Sequence, residues 1–269
     1  MNLTIKDDWM NDYLSDHGYF VSDHESYRIS LGLPKQAKVS LRFFGNVKIG
    51  YFYAIVINCD ESGWKQCITA SILEHKEKLK GILDGNISIL MFDNNKDSFC
   101  IYDGAIRKIS SAQLVTYFSN INSDLTAESG TFKQINRTTN DAFQVWTRKN
   151  LSKYVSCNDI DAFKIMGDTI EFVELKRPVQ DCYNWLPYLN DYGNYKALQV
   201  MGRVNRNIKS IFTLSYNANN NAKFVVFELD RIERDVIEGR LSKVKTSEID
   251  IIKGFSLLTY QTFTSHNRT

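Results

Sequence analysis

Asn158-Asp159-Ile160-Asp161-Ala162-Phe163-Lys164-Ile165-Met166-Gly167-Asp168-Thr169-Ile170-Glu171-Phe172-Val173-Glu174-Leu175-Lys176 carries the densest pattern in the 269-residue chain. Two apolar-rich runs, Asp161 to Ile165 and Thr169 to Lys176, flank the turn dipeptide Gly167-Asp168, and the spacing predicts two adjoining strands. Side chains alternate across a strand, so Glu174 and Lys176 share one face while Val173 and Leu175 point to the other. Paired strands lie under about 5 Å apart, which lets Asp161 approach the same face. Two carboxylates and a lysine then meet at a strand edge. Carboxylate and main-chain carbonyl oxygens are hard ligands suited to Mg²⁺, an ion that keeps several waters and prefers phosphate as its remaining partner. A phosphodiester is the substrate this chemistry predicts, with a lysine placed to orient a nucleophilic water or help deprotonate it.

Outward from this stretch the periodicity alternates between strand and helix. Upstream, Thr139-Asn140-Asp141 is read as the cap of a helix carrying Ala142, Phe143, Val145 and Trp146. Downstream, a helix is expected over Tyr195 to Asn205, then strands at Ile208 to Leu214 and Phe224 to Leu229 around an Asn-rich turn, and a last strand at Ile252 to Phe263. In the first half, Lys38 to Phe43 and Val47 to Ile57 alternate as a hairpin about Gly45-Asn46. Ile68, Ile72, His75, Leu79 and Ile82 then fall on one helical face ended by Gly85. Ile87 to Phe92 and Ser98 to Tyr102 form a second expected hairpin, followed by a short helix near Ser111 to Phe118. The polar stretch Ser119 to Thr139 reads as a linker. The expected organisation is an N-terminal α+β module of antiparallel hairpins over 1–120, a linker over 121–138 and a second domain over 139–269, an α/β (α+β) protein without internal repeats.

Composition removes other chemistries. The acidic start and the absence of any apolar run near 20 residues predict a cytoplasmic protein without a membrane span. Five cysteines with no C-x-x-C pair predict reduced, structural thiols. Four histidines leave little material for zinc hydrolases or Ser-His sites, and His75, on an apolar helix face, reads as a core residue. No phosphate-binding glycine loop, dinucleotide fingerprint or nucleophile elbow occurs, so no nucleotide cofactor is expected.

Asp161, twelve residues, then Glu174-x-Lys176 resembles the motif of the PD-(D/E)XK nuclease superfamily, the restriction-endonuclease-like fold. No proline immediately precedes either aspartate, a departure from the family's written pattern. The resemblance covers the second half of the chain. It implies a mixed sheet flanked by helices, with Asp161, Glu174 and the carbonyl of Leu175 holding Mg²⁺, or Mn²⁺ in its place, and Lys176 near the attacking water. Asp159 is the alternate ligand; Asp161 is preferred because the apolar strand residues begin directly after it. Related nucleases place a polar residue of the following helix over the site, which makes Gln199 and Lys196 candidates, and Asp141 a candidate outer acid.

Arg203, Arg206 and Arg148 are candidate backbone contacts, and Tyr183, Trp185, Tyr188, Tyr192 and Tyr195 candidate stacking groups or packing residues. Charge agrees in direction: residues 1–130 hold 13 Lys and Arg against 16 Asp and Glu, and residues 131–269 hold 20 against 15. The expected function is a Mg²⁺-dependent endonuclease acting on double-stranded DNA, a type II restriction or phage-defence enzyme. Cutting both strands with one site per chain favours a homodimer. The alternatives are an RNA-directed nuclease or toxin, and a non-catalytic nucleic-acid-binding module in which Glu174 and Lys176 are a plain ion pair.

Overall fold

A computed structural model of the chain describes residues 9–85, 87–96, 98–128, 141–178, 182, 192–217 and 224–228. The chain divides into two compact units, Met1–Val21 with Ile160–Thr269, and Ser22–Asp159. Each has its own mixed sheet, so the protein is mixed α/β of the α+β kind.

In chain order the elements are α1 (Trp9–Asp16), β1 (Phe20–Val21), α2 (Glu25–Ser30), β2 (Lys38–Asn46), β3 (Gly50–Asn58), α3 (Trp64–Cys67), α4 (Ala70–Leu83) and β4 (Ile87–Asp93). They continue with β5 (Ser98–Tyr102), β6 (Ile106–Ile109), α5 (Ser111–Ile121), α6 (Ala142–Asn150), β7 (Ser156–Ile160), β8 (Ala162–Met166), β9 (Thr169–Lys176), α7 (Tyr192–Val204), β10 (Ile208–Tyr216) and β11 (Phe224–Glu228).

The Ser22–Asp159 unit is built on a six-stranded sheet in the order β6-β5-β4-β3-β2-β7. The β2–β3 hairpin turns at 47–49, just past the expected Gly45-Asn46; Gly45 pairs with Tyr51 in the ladder, where a Cβ would come within 2.1 Å of the Gly50 carbonyl oxygen, so only glycine fits. From β3 the chain crosses over through α3 and α4 to β4, which pairs with β3 in parallel. The Thr69 hydroxyl caps α4 by accepting from the Ile72 N–H at 3.1 Å. The α4 face expected from the sequence is the buried one: Ile72, His75, Leu79 and Ile82. His75 is indeed interior, its Nε2 3.0 Å from the Tyr27 hydroxyl, and burial pushes its pKa down to about 4, with Lys78 adding to the effect.

Two boundaries differ from expectation. The helix capped at Asp141 and the strand after it belong to the Ser22–Asp159 unit, because Phe143, Trp146 and Leu151 bury themselves among Phe44, Phe92, Phe99 and Phe118. The supposed linker also begins late: α5 runs to Ile121 and Leu125 is wholly buried, while residues 129–140 lie outside those described.

The other unit carries a five-stranded sheet, β1-β8-β9-β10-β11, with β9–β10 parallel and the rest antiparallel. Its missing piece comes from the N-terminus: Phe20 and Val21 pair with Phe163 and Ala162, and α1 packs Met10 and Leu14 onto Val173, Phe212 and Leu214. The β8–β9 hairpin turns at Gly167 with φ 61, a positive value that suits glycine in a two-residue turn. The strand expected at Ile252 to Phe263 lies outside the described residues. All five cysteines are unbridged, and no described helix is long and apolar enough to cross a membrane.

Candidate active site

The ladder of the β8–β9 hairpin sets the geometry. Ala162 pairs with Val173, so Asp161, one residue earlier, stands level with Glu174. Where the next main-chain bond would form, the Asp161 carboxylate substitutes: its Oδ2 accepts from the Leu175 N–H at 2.7 Å. In an antiparallel strand the N–H and C=O of one residue project from the same edge, so the Leu175 carbonyl leaves β9 on the Asp161 side. The structure thus brings together Asp161, Glu174, Leu175 and Lys176 at one strand end.

Glu174 and Lys176 lie on the face of β9 opposite Val173 and Leu175, which pack with α1. That opposite face is covered by α7. A Cβ at Gly202 would sit 3.1 Å from Ile211 Cδ1, so this glycine lets the helix lie close on the sheet. Tyr195, 1% exposed, turns its ring to Lys176, whose Nζ is 5.5 Å from the ring centroid. Glu174 is only 7% exposed and its Oε1 collects two donors, Lys176 Nζ at 3.0 Å and Asn194 Nδ2 at 2.8 Å. The carboxylate is buried with its charge compensated, the condition for its remaining ionised in such a place.

The neighbouring strand continues this polar layer. Thr213 is opposite Glu174 and Ser215 opposite Lys176 across the parallel pair, and both are fully buried. Ser215 Oγ donates to the Cys182 carbonyl at 3.4 Å, whereas the Thr213 hydroxyl has no hydrogen-bond partner among the described residues.

No family model, curated protein or solved structure matches the chain.

The remaining sequence candidates divide by place. Gln199 is on α7, buried at 9%, one turn beyond Tyr195, and Lys196 is half-buried on the same helix. Arg203 and Arg206 are exposed at and just after its end. Asp141, Asp159 and Arg148 belong to the Ser22–Asp159 unit. Asp141 there serves the fold: its Oδ1 caps α6 by accepting from Gln144 N–H at 2.9 Å, and its Oδ2 pairs with the buried Arg42. Desolvation works against the charge of Arg42, but Asp141 and Asp159 outweigh it and hold the guanidinium protonated. Arg148 is half-buried in the last turn of α6. Trp185, Tyr183 and Tyr188 lie outside the described residues, as does the side chain of Tyr192.

Asn194, Thr213 and Ser215 were not singled out by sequence reasoning. Asn194 is three residues before Ala197 in a helix whose face only the sheet defines, and Thr213 and Ser215 read as ordinary strand polar residues. The one available signal was the pair of hydroxyls alternating through an otherwise apolar strand, Ile211-Phe212-Thr213-Leu214-Ser215.

As a donor set the site offers oxygen alone: two carboxylates and a main-chain carbonyl. Among the described residues no three His, Cys, Asp or Glu side chains converge, so an ion here would complete its shell with water or phosphate oxygens, as Mg²⁺ does.

Proposed function

We propose that the chain is a Mg²⁺-dependent endonuclease that hydrolyses phosphodiester bonds in double-stranded DNA, built on a restriction-endonuclease-like fold and acting as a type II restriction or phage-defence enzyme. The observation that carries this reading is the Asp161 carboxylate held at Leu175 N–H, level with Glu174, whose buried carboxylate holds Lys176. A mixed sheet with α1 on one face and α7 on the other is the architecture that the Asp161, Glu174-x-Lys176 resemblance implies. Support also comes from the cost of the arrangement: the buried Glu174 carboxylate, with its partly buried Lys176 partner, does little for folding.

Each residue then has a role. Asp161, Glu174 and the Leu175 carbonyl hold the ion, which when bound neutralises charge on the scissile phosphate and lowers the pKa of a water. Asn194 positions the Glu174 carboxylate from the α7 side. Lys176, fixed between Glu174 and the Tyr195 ring, orients the attacking water and offsets charge at the phosphorus. Water adds to phosphorus, the bond to the 3′ oxygen breaks, and a 5′-phosphate and 3′-hydroxyl remain. A duplex is cut on both strands by a homodimer, one site per strand.

Supercoiled plasmid incubated with Mg²⁺ tests the reading. The wild-type chain is expected to nick and linearise it, EDTA to stop the reaction, and Glu174→Ala or Lys176→Ala to abolish it in a folded protein. Cleavage that survives both substitutions overturns the assignment, and cleavage of matched RNA alone transfers it to an RNA-directed nuclease.

A further inference from the structure

The Ser22–Asp159 unit has a cleft of about 1060 Å³ that is independent of the Asp161 and Glu174 constellation. It opens at the carboxyl ends of the parallel strands β3 and β4, the end at which open α/β sheets take up ligands, and α6 forms one wall. Its size reaches the upper end of ligand clefts, about 300–1,000 Å³.

Its chemistry narrows the occupant. The acid at its base, Asp93, is 2% exposed and already engaged: its Oδ2 accepts from the Glu61 N–H at 3.1 Å and its Oδ1 from the Asn95 N–H at 2.8 Å. Lys96 stands 4.0 Å from it. Asp93 therefore ties two loops together and does not offer a cation site. The wall is firm, since Trp146 stacks on Phe143 with centroids 5.9 Å apart and planes 4° apart, and its indole N–H donates to Ser111 Oγ at 2.8 Å. The polar lining includes the amides Gln36, Asn58 and Asn95, the exposed ammoniums of Lys38 and Lys149, and one exposed carboxylate, Asp60, which the lysines outnumber. Amides donate and accept side by side, as base edges do, and ammoniums pair with phosphates. The apolar part of the lining, Ala142, Val145 and Trp146 on α6, offers a flat side for a base to lie against. A duplex does not enter a concavity, because its base edges are read by elements that protrude into a groove. An unstacked nucleotide does enter one.

We propose that this cleft binds one or two unstacked nucleotides of a DNA strand, with Asn58 and Asn95 meeting base edges and Lys38 and Lys149 meeting the flanking phosphates. The choice of DNA among phosphate-bearing ligands rests on the nuclease reading above. The cleft is then a second nucleic-acid site, one that engages single-stranded or locally opened DNA.

Fluorescence anisotropy of the full chain in EDTA, with a labelled single-stranded 12-nucleotide DNA, its duplex and the matched RNA strand, tests this without requiring cleavage. The wild-type chain is expected to bind the single DNA strand more tightly than the RNA strand, and the cleft variants to weaken single-strand binding more than duplex binding. Lys38→Gln with Lys149→Gln should weaken binding tenfold or more for every sequence, and flatten the slope of log affinity against log salt by about 1.4. Asn58→Ala with Asn95→Ala should leave that slope unchanged and reduce discrimination among homopolymer strands by about tenfold. Single-strand affinity that both double variants leave within threefold overturns the proposal, as does tighter binding of the RNA strand, or no binding of the single strand at all. Plasmid cleavage with variant-insensitive binding defeats the cleft and leaves the nuclease reading standing. Cleft-dependent binding without any cleavage does the reverse.

Discussion

The two sheets share one order of elements. In β2-β3-α4-β4-β5 and in β8-β9-α7-β10-β11 an antiparallel hairpin leads through a crossover helix to a strand parallel to the hairpin's second strand, and an antiparallel strand follows. What lies under the crossover helix differs. In the Ser22–Asp159 unit the facing pairs are Ile55–Ile89 and Ile57–Met91, all at most 1% exposed. In the other unit Phe172–Ile211 is followed by Glu174–Thr213 and Lys176–Ser215. Packing a helix on a parallel pair needs apolar side chains, and the first sheet shows that this topology is satisfied by them. The acid, the lysine and the two hydroxyls of the second are therefore not demanded by the fold. The proposed nuclease chemistry gives them a use.

The sharpest way to break this comparison is to make the second sheet like the first. Glu174→Leu with Lys176→Met replaces a buried ion pair by apolar side chains of similar volume. Metal-dependent plasmid cleavage should fall by about 10³-fold or more, while the urea midpoint stays level or rises, since such replacements often gain about 1–4 kcal/mol. A variant that fails to fold would show that the polar layer is architectural. Next in size is the first sheet's own buried charge. Arg42 lies over the Phe143 ring and holds Asp141 at the start of α6, so Arg42→Met should cost about 1.5–3 kcal/mol in urea unfolding, from the lost charged hydrogen bonds to Asp141 and Ser40. If stability does not change, Asp141 is free to act elsewhere.

The histidine of α4 supplies a pH test confined to the first unit. Burial holds the folded pKa of His75 at about 4, below the ordinary 6.5, so the unfolded chain binds the proton more readily. Its contribution is present in full above pH 6.5 and is lost as pH falls toward 4. The loss should approach about 3 kcal/mol, and His75→Gln should flatten the stability profile across that window. Thermal melts at pH 7, 5.5 and 4.5 decide it.

The local parts of this picture were legible. The β8–β9 hairpin follows from alternation on either side of Gly167-Asp168, and the level positions of Asp161 and Glu174 follow from its register. Legibility ended where the partner is distant in sequence. A two-residue strand such as β1 has no period to read, and the Tyr19 hydroxyl bonds Glu171 across 152 positions. Asp141 showed the same limit: an acid before a helix reads equally as a cap or a catalytic group, and Arg42, 99 residues earlier, settles its engagement. Asn194 on Glu174 required knowing which face of α7 meets the sheet.

The smallest expected effect isolates a single hydroxyl. Thr213 of β10 and Ile89 of β4 occupy comparable places under their crossover helices, yet the Thr213 Oγ1 is buried with no hydrogen-bond partner among the described residues. A buried hydroxyl without a partner forfeits its bonds to water, so Thr213→Val, which keeps the branched shape, should stabilise the chain by about 1 kcal/mol in urea unfolding. The reciprocal change, Ile89→Thr, places a hydroxyl where the first sheet has none and also removes buried methyl and methylene surface, so it should destabilise by about 1–3 kcal/mol. If Thr213 only fills space, cleavage by Thr213→Val equals that of the wild type. If its hydroxyl helps hold Glu174 once the acid is engaged, kcat falls while the protein becomes more stable. A loss of stability in Thr213→Val instead would show that the hydroxyl already has a partner, and the contrast between the two sheets would then rest on Glu174 and Lys176 alone.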